Sequence, residues 1–202
     1  MSVKTELTTA PRFVDLLRHG AVRGGARLRG SCDDPLTPDG WAQMARATAD
    51  APAWSLILSS PAQRCAAFAC QLAAQREIPL RIDPALAEWQ FGAWDGVPFA
   101  QLPADQLLQL WTDPAHFAPP NAEPFAAFQA RVRTAWQTLL QSNEPHCLLI
   151  THGVVIRVLI AEVLKMPTTA LALLEVPSAN LTRLCLYPPP GQPSLLFHRS
   201  FE

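Results

Sequence analysis

Four side chains carry most of the chemistry this sequence offers: Arg18, His19, Arg64 and His152. Each follows an apolar run. Phe13-Val14-Asp15-Leu16-Leu17 leads into Arg18-His19-Gly20, Trp54-Ser55-Leu56-Ile57-Leu58 into Ser59-Ser60-Pro61-Ala62-Gln63-Arg64, and Cys147-Leu148-Leu149-Ile150 into Thr151-His152-Gly153. Charge at the end of a buried strand is costly unless something there uses it. Two guanidiniums with backbone N–H groups at helix starts make an anion site. Phosphate suits that site, because the forked donors of arginine match its oxygens. Two histidines add a reaction. One can attack phosphorus through a neutral ring nitrogen. Positive neighbours and a helix N-terminus disfavour imidazolium, so that nitrogen stays free at neutral pH. The other histidine, with the arginines, would stabilise charge on the transferring phosphoryl oxygens. With arginines supplying the positive charge, the reaction calls for no metal and no cofactor. A leaving alkoxide needs a proton, which a carboxylic acid can give. Glu88 stands close to Trp89, Phe91 and Trp94 in sequence. Desolvation there, and a phosphate dianion nearby, would raise its pKa and keep it protonated.

These residues need strands to hold them. The three apolar runs read as buried strands, each followed by a helix. In the second unit Ser60 is expected to cap the helix, Pro61 to fit its first turn, and the helix to reach about Gln75. In the third, Val154–Ile160 continues as a helix. Thr37-Pro38-Asp39-Gly40 opens a further helix that carries Trp41, Met44 and Ala45. Phe125, Phe128, Val132, Trp136 and Leu139 recur at three- and four-residue steps, which makes one amphipathic face and a core role. A weaker helix is expected at Ala104–Trp111. Late strands are expected at Leu181–Tyr187 and Leu195–His198, joined by a Pro188-Pro189-Pro190-Gly191 turn. Strands alternating with helices predict an α/β fold: three layers, α/β/α, with a mostly parallel central sheet and helices on both faces. Ligands bind such sheets beyond the carboxyl ends of the strands, where the three polar knots lie.

The bulk properties bound the answer. The chain has 202 residues, 49% hydrophobic and 16% charged, which suits one domain, expected over 12–202 behind a loose tail at 1–11. A formal net charge of −1 gives no basic field for nucleic acid or an anionic membrane. No apolar run reaches the ~18 residues of a membrane span. The first eleven residues lack the apolar centre of a signal peptide. Cys32, Cys65, Cys70, Cys147 and Cys185 are scattered, with no metal-ligand spacing, and read as buried free thiols of a cytoplasmic protein. The expected partner is a small phosphorylated substrate. A homodimer is left open, because nothing here sets the oligomeric state.

Taken in order, the motifs resemble the histidine phosphatase superfamily, the phosphoglycerate mutase-like enzymes. They are Arg18-His19-Gly20, then Gly30 through Asp34-Pro35-Leu36-Thr37 with Gly40, then Ser59-Ser60-Pro61 with Arg64, then Glu88 with Phe91-Gly92 and Trp94-Asp95-Gly96, then Thr151-His152-Gly153. The resemblance covers roughly residues 12–187. It implies that His19 is the phosphorylated nucleophile and Glu88 the proton donor, with Arg18, Arg64 and His152 on the phosphoryl group. Within the superfamily the chain looks most like the α-ribazole phosphatase branch of cobalamin biosynthesis, through its length, its Arg27–Thr37 segment and its Phe125–Val132 helix. Phosphoglycerate mutases look similar but typically carry a longer insertion after the Glu segment. Only about fifty residues separate Gly96 from Cys147, which favours hydrolysis.

Two departures bear on the substrate. Many relatives follow the Arg-His-Gly motif with a polar pair and place Asn six residues after the nucleophile. This chain has Ala21-Val22, and Gly25 at that offset. Where relatives often have Gly-Gly-Glu-Ser before the long helix, it has Asn121-Ala122-Glu123-Pro124. Arg29 and Gly30 are expected on the substrate. Arg23, Arg27 and Arg29 could instead form a solvated loop face. Asp33 and Asp34 are expected to cap a turn before Pro35. His116, His146 and His198 lie outside the knots and receive no role. The rivals to hydrolysis are mutase-type phosphoryl transfer and a weakly active relative that binds a phosphorylated ligand.

Overall fold

Alternation of apolar side chains along short strands builds a sheet with two buried faces. The structure is a computed structural model and describes residues 10–201, so most of the expected tail, residues 1–9, lies outside them. The strands are β1 (Arg12–Arg18), β2 (Leu56–Ser59), β3 (Leu80–Ile82), β4 (His146–Thr151), β5 (Leu181–Leu186) and β6 (Ser194–Arg199). They lie in the order β3-β2-β4-β1-β5-β6. β3, β2, β4 and β1 pair in parallel, and β5 runs antiparallel to both β1 and β6. β5 is therefore the one reversed strand of a mixed sheet.

Among the described residues five α-helices accompany it: α1 (Pro38–Ala49), α2 (Gln63–Arg76), α3 (Ala104–Thr112), α4 (Phe125–Leu140) and α5 (Gly153–Leu164). Leu16, Leu56, Leu149 and Leu184 turn to one face and join Phe128, Val132, Ile156 and Leu159 of α4 and α5. Their neighbours Leu17, Ile57, Leu148 and Leu181 turn to the other and join Met44, Phe68 and Leu72 of α1 and α2. This is the expected three-layer α/β/α arrangement. The five apolar residues of α4 are all buried, as their spacing predicts.

Some local expectations are corrected. Ser60 does not cap α2, and Pro61 stands before its first turn. The helix begins at Gln63, its N-cap residue Ala62 offers no side-chain bond, and Asp33 Oδ1 accepts from the Gln63 N–H at 2.6 Å. Asp33 thus caps a helix from another loop rather than its own turn. Strand β2 starts at Leu56, two residues later than expected, and β3, not among the expected strands, is three residues long with two of them exposed. The thiols are all unpaired, but only Cys65, Cys147 and Cys185 are buried; Cys70 is exposed.

Two glycines join β1 to α1. The Thr37 hydroxyl caps α1 by accepting from Gly40 N at 2.9 Å. A Cβ on Gly20 would stand 2.2 Å from the Gly40 carbonyl oxygen, and one on Gly40 would stand 2.0 Å from that of Ala21. Backbone meets backbone here, so neither position tolerates a side chain. This contact sets the loop directly after His19.

Candidate active site

The three polar knots meet above β1, β4 and β2. His19 and His152 face each other edge to face, with ring centroids 5.3 Å apart. Both are buried. His19 Nδ1 lies 2.9 Å from the Gly20 carbonyl oxygen. A carbonyl only accepts, so Nδ1 carries the proton and Nε2 keeps a free lone pair. Burial pushes the His19 pKa well down, and Arg18 and Arg64 push it further. The ring is neutral well below pH 6.5.

His152 is held at both nitrogens. Its Nε2 lies 2.7 Å from Ser60 Oγ, and its Nδ1 accepts from Arg64 Nε at 3.3 Å. Burial first, then Arg64, also depresses its pKa. Arg64 is fully buried and donates to the carbonyls of Cys32 at 2.6 Å and Arg29 at 3.3 Å. Arg18 donates to the Val176 carbonyl through Nη1, while its Nε is buried with no partner. Neither guanidinium has a carboxylate partner among the described residues. The site therefore holds uncompensated positive charge, the arrangement an anion would complete.

Glu88 closes one wall. Its Oε2 accepts from the Val154 N–H at the start of α5, and its Oε1 from the Trp89 N–H, both at 3.2 Å. Burial raises its pKa more than these bonds and the arginines lower it, so the carboxyl holds its proton above the usual range. Trp89 gives this segment its anchor: it packs on Phe91, Phe117, Phe125 and Phe128, with centroids 4.8–6.1 Å apart.

Arg131, absent from the sequence expectations, positions the same segment. It donates to the carbonyls of Ala85, Ala87 and Glu88 at 2.7–2.9 Å and pairs with Glu123 at 2.7 Å. It lies on α4 one residue before Val132, and a lone charge beside an apolar stripe reads as solvent-facing. Asp95 is a second such hub. Its carboxylate accepts from the N–H groups of Gly30, Ser31 and Phe91, tying two loops together.

A cavity of about 330 Å³ opens in front of His19. Arg18, Gly25, Arg27, Arg29, Glu88 and Arg157 line it, with apolar surface from Leu28, Phe91, Phe99 and Trp111. Arg64 and His152 lie deeper. Gly30 does not line the cavity: its N–H goes to Asp95, and a Cβ there would stand 2.2 Å from the Trp89 carbonyl oxygen. Arg29 faces the cavity, but Asp34 takes its Nε at 2.7 Å and the Arg23, Gly25 and Arg27 carbonyls take its other donors. Asp34 also pairs with Arg27 at 2.9 Å. It clamps two arginines instead of capping a turn. His19, Arg18, Arg64, His152 and Glu88 come together; Arg29 borders them, and Gly30 supports from outside. Among the described residues, no group of three or more His, Cys, Asp or Glu side chains gathers to hold a metal ion.

Known proteins resemble this chain in sequence and in fold. The model of the histidine phosphatase superfamily (branch 1) matches residues 14–197. A glucosyl-3-phosphoglycerate phosphatase of Mycobacterium tuberculosis is 30% identical over 77% of this chain and 77% of its own length. An adenosylcobalamin/alpha-ribazole phosphatase of Escherichia coli is 29% identical over 77% of this chain and 81% of its own. Against three further mycobacterial relatives, 27% identical, the chain spans only 54% of their length. Among solved structures, YhfR of Bacillus stearothermophilus superposes with a TM-score of 0.82 at 26% identity, over 92% of this chain and 95% of that one.

Proposed function

The chain belongs to the histidine phosphatase superfamily, and from that membership and the site geometry we propose that it hydrolyses small phosphomonoesters through a phosphohistidine on His19. The observation that carries this is the free Nε2 lone pair of a histidine, set among guanidiniums without ion-pair partners and beside a buried carboxyl whose pKa burial raises.

In the first step His19 Nε2 bonds to phosphorus as the ester P–O bond breaks. The leaving oxygen takes the Glu88 proton. Positive charge grows on the ring, and the Gly20 carbonyl oxygen accepts more strongly from Nδ1–H. Arg18, Arg64 and His152 hold the equatorial oxygens. To donate there, His152 must move its proton to Nδ1 and accept from Ser60 at Nε2, and Arg64 Nε, which Nδ1 then no longer accepts from, must turn to the phosphoryl oxygens. A hydroxyl can give or take a proton bond, so Ser60 serves both tautomers. In the second step Glu88, now a carboxylate, takes a proton from water. That water attacks phosphorus, the N–P bond breaks, and free phosphate leaves.

The arginines provide the positive charge that a metal would otherwise supply. The substrate class is a small sugar or nucleotide phosphate, with α-ribazole 5′-phosphate the candidate drawn from the sequence resemblance and from one of the relatives. The compartment that suits five unpaired thiols is the reducing cytoplasm. No helix among the described residues is long and apolar enough to cross a membrane.

The test is a panel of phosphomonoesters hydrolysed in the presence of chelator, with His19→Ala as control. Chelator-resistant, His19-dependent release of phosphate is expected. Product phosphorylated at a new position would favour mutase-type transfer. Turnover that survives His19→Ala would dismiss the reading.

A further inference from the structure

We propose that the cavity contains a second anion subsite, built on Arg157, for a carboxylate on the alcohol half of the substrate. This rests on the phosphomonoesterase reading above and narrows its substrate class.

Arg157 stands on α5, one turn beyond Gly153. It has a single protein acceptor: its Nε donates to the Leu174 carbonyl at 2.8 Å. No side chain or backbone oxygen of the described residues takes its Nη1 or Nη2, and no carboxylate pairs with it. Those two nitrogens form one edge of the guanidinium, the edge that matches the two oxygens of a carboxylate. The Trp111 ring lies 5.8 Å from Arg157 Cζ and steadies the plane.

Arg157 also stands against Arg18. The point where a Gly153 Cβ would fall is 3.3 Å from Arg157 Nη1 and 3.6 Å from Arg18 Nε. Two guanidiniums without counter-ions thus meet over a residue that has no side chain. Burial lowers the pKa of both, and Glu88 opposes it most. Glu175 also acts on Arg157 from a distance, but neither carboxylate comes within ion-pair reach of either guanidinium among the described residues.

Counting the charge shows what is wanted. Arg18, Arg64 and Arg157 are three buried or half-buried cations with no ion-pair partner. A phosphoryl dianion at His19 answers two of them. The third calls for one more negative charge, which a carboxylate supplies. Arg27 and Arg29 share the single carboxylate of Asp34, so they add to this positive excess and do not reduce it. The walls next to Arg157 are Val154, Leu110 and Trp111. Such apolar surface strengthens an ion pair made there and makes an unanswered guanidinium costly. An ester with an uncharged alcohol half, α-ribazole 5′-phosphate among them, leaves Arg157 without a partner.

The test compares 3-phosphoglycerate with glycerol 3-phosphate, which differ by a carboxylate against a hydroxymethyl group. For the full chain, kcat and KM for each are measured in wild type, Arg157→Gln and Arg157→Lys, with melting curves for all three. Wild type should favour the acid by about 30-fold in kcat/KM, the worth of one charge-assisted bidentate pair. Arg157→Gln should bring the two within about threefold, mostly by raising KM for the acid. Arg157→Lys should restore part of the preference. Equal handling of both esters by wild type, or equal losses for both in a folded Arg157→Gln, would overturn the subsite. Calorimetric binding of the same two compounds separates this from the activity itself. If no ester is hydrolysed, tighter binding of the acid that vanishes in Arg157→Gln keeps the subsite while the phosphomonoesterase reading falls. Equal binding of both ends the subsite as well.

Discussion

Strand β1 carries two charged residues three positions apart, Asp15 buried and Arg18 half-buried, and the protein treats them in opposite ways. Asp15 is fully buried and fully answered. Arg183 donates to both its oxygens at 2.7 and 2.8 Å, and Trp54 Nε1 and His146 Nε2 reach it at 2.8 and 3.0 Å. Burial pushes its carboxyl up, but these bonds together outweigh burial and hold the pKa below the ordinary value. Arg18, at the end of the same strand, has one backbone acceptor, a buried Nε with nothing to donate to, and further arginines for company. A closed network stabilises its charge within the fold. An open one carries the cost of unpaired charge until something else arrives. The first is architecture, and the second is where an anion belongs.

Breaking each cluster should give opposite phenotypes. The largest effect is expected for His19→Ala at the open end: at least about 10⁴-fold lower turnover in steady-state phosphate release, with the melting curve little changed. At the closed end, Asp15→Asn should cost about 2–3 kcal/mol in urea unfolding, because half-buried Arg183 loses its charge-assisted pair. Turnover per folded molecule should stay as in wild type. The stability that Asp15 confers is present above the unfolded carboxyl pKa near 3.8. It is lost as pH falls through the still lower folded value, so Asp15→Asn and wild type should converge in strong acid.

Glu88→Gln sharpens the contrast further. Turnover of alkyl phosphates should fall by about 10²–10³-fold, while p-nitrophenyl phosphate, whose leaving group needs little protonation, should lose far less. The same change should stabilise the protein at neutral pH. The Glu88 pKa is raised on folding, so its stabilising share is complete below the unfolded value near 4.5 and is lost as pH rises through the folded one. Glu88→Gln should therefore melt higher than wild type at pH 7 and close to it at pH 4. Wild-type turnover should decline on the alkaline side as Glu88 ionises, and on the acid side only below the depressed His19 pKa. The smallest effect is expected for Ser60→Ala, about tenfold in kcat, since His152 loses the group that supports its donating tautomer. A comparable loss confined to KM would place Ser60 in substrate binding instead.

Much of this was legible in the sequence because strand ends announce themselves. An apolar run broken by Arg-His-Gly or Thr-His-Gly locates a side chain at a sheet edge from the order of residues alone. The two faces of the sheet and the buried stripe of α4 follow from periodicity in the same way. Illegible were the residues whose partners are remote in sequence and carry no period. Asp33 caps a helix 30 residues away, Asp34 holds two arginines, and Arg131 fixes the Glu88 backbone from α4. Each is a single polar residue in a loop or beside an apolar face, where a solvated role is the ordinary expectation. Gly30 shows the reverse error. Its place in a motif suggested substrate contact, but close backbone packing and Asp95 explain it. His146, given no role, belongs to the Asp15 cluster, which could not be seen without the pairing of β1 to β4.

The central claim is that His19 Nε2 takes the phosphoryl group. The most direct measurement is rapid quenching of wild type during turnover of a ³²P-labelled ester, under alkaline conditions that preserve N–P bonds, followed by peptide mapping. The account predicts acid-labile, alkali-stable label on the peptide containing His19, formed within one turnover and absent from His19→Ala. Normal hydrolysis with no label on His19 at any time in the first turnover would contradict it.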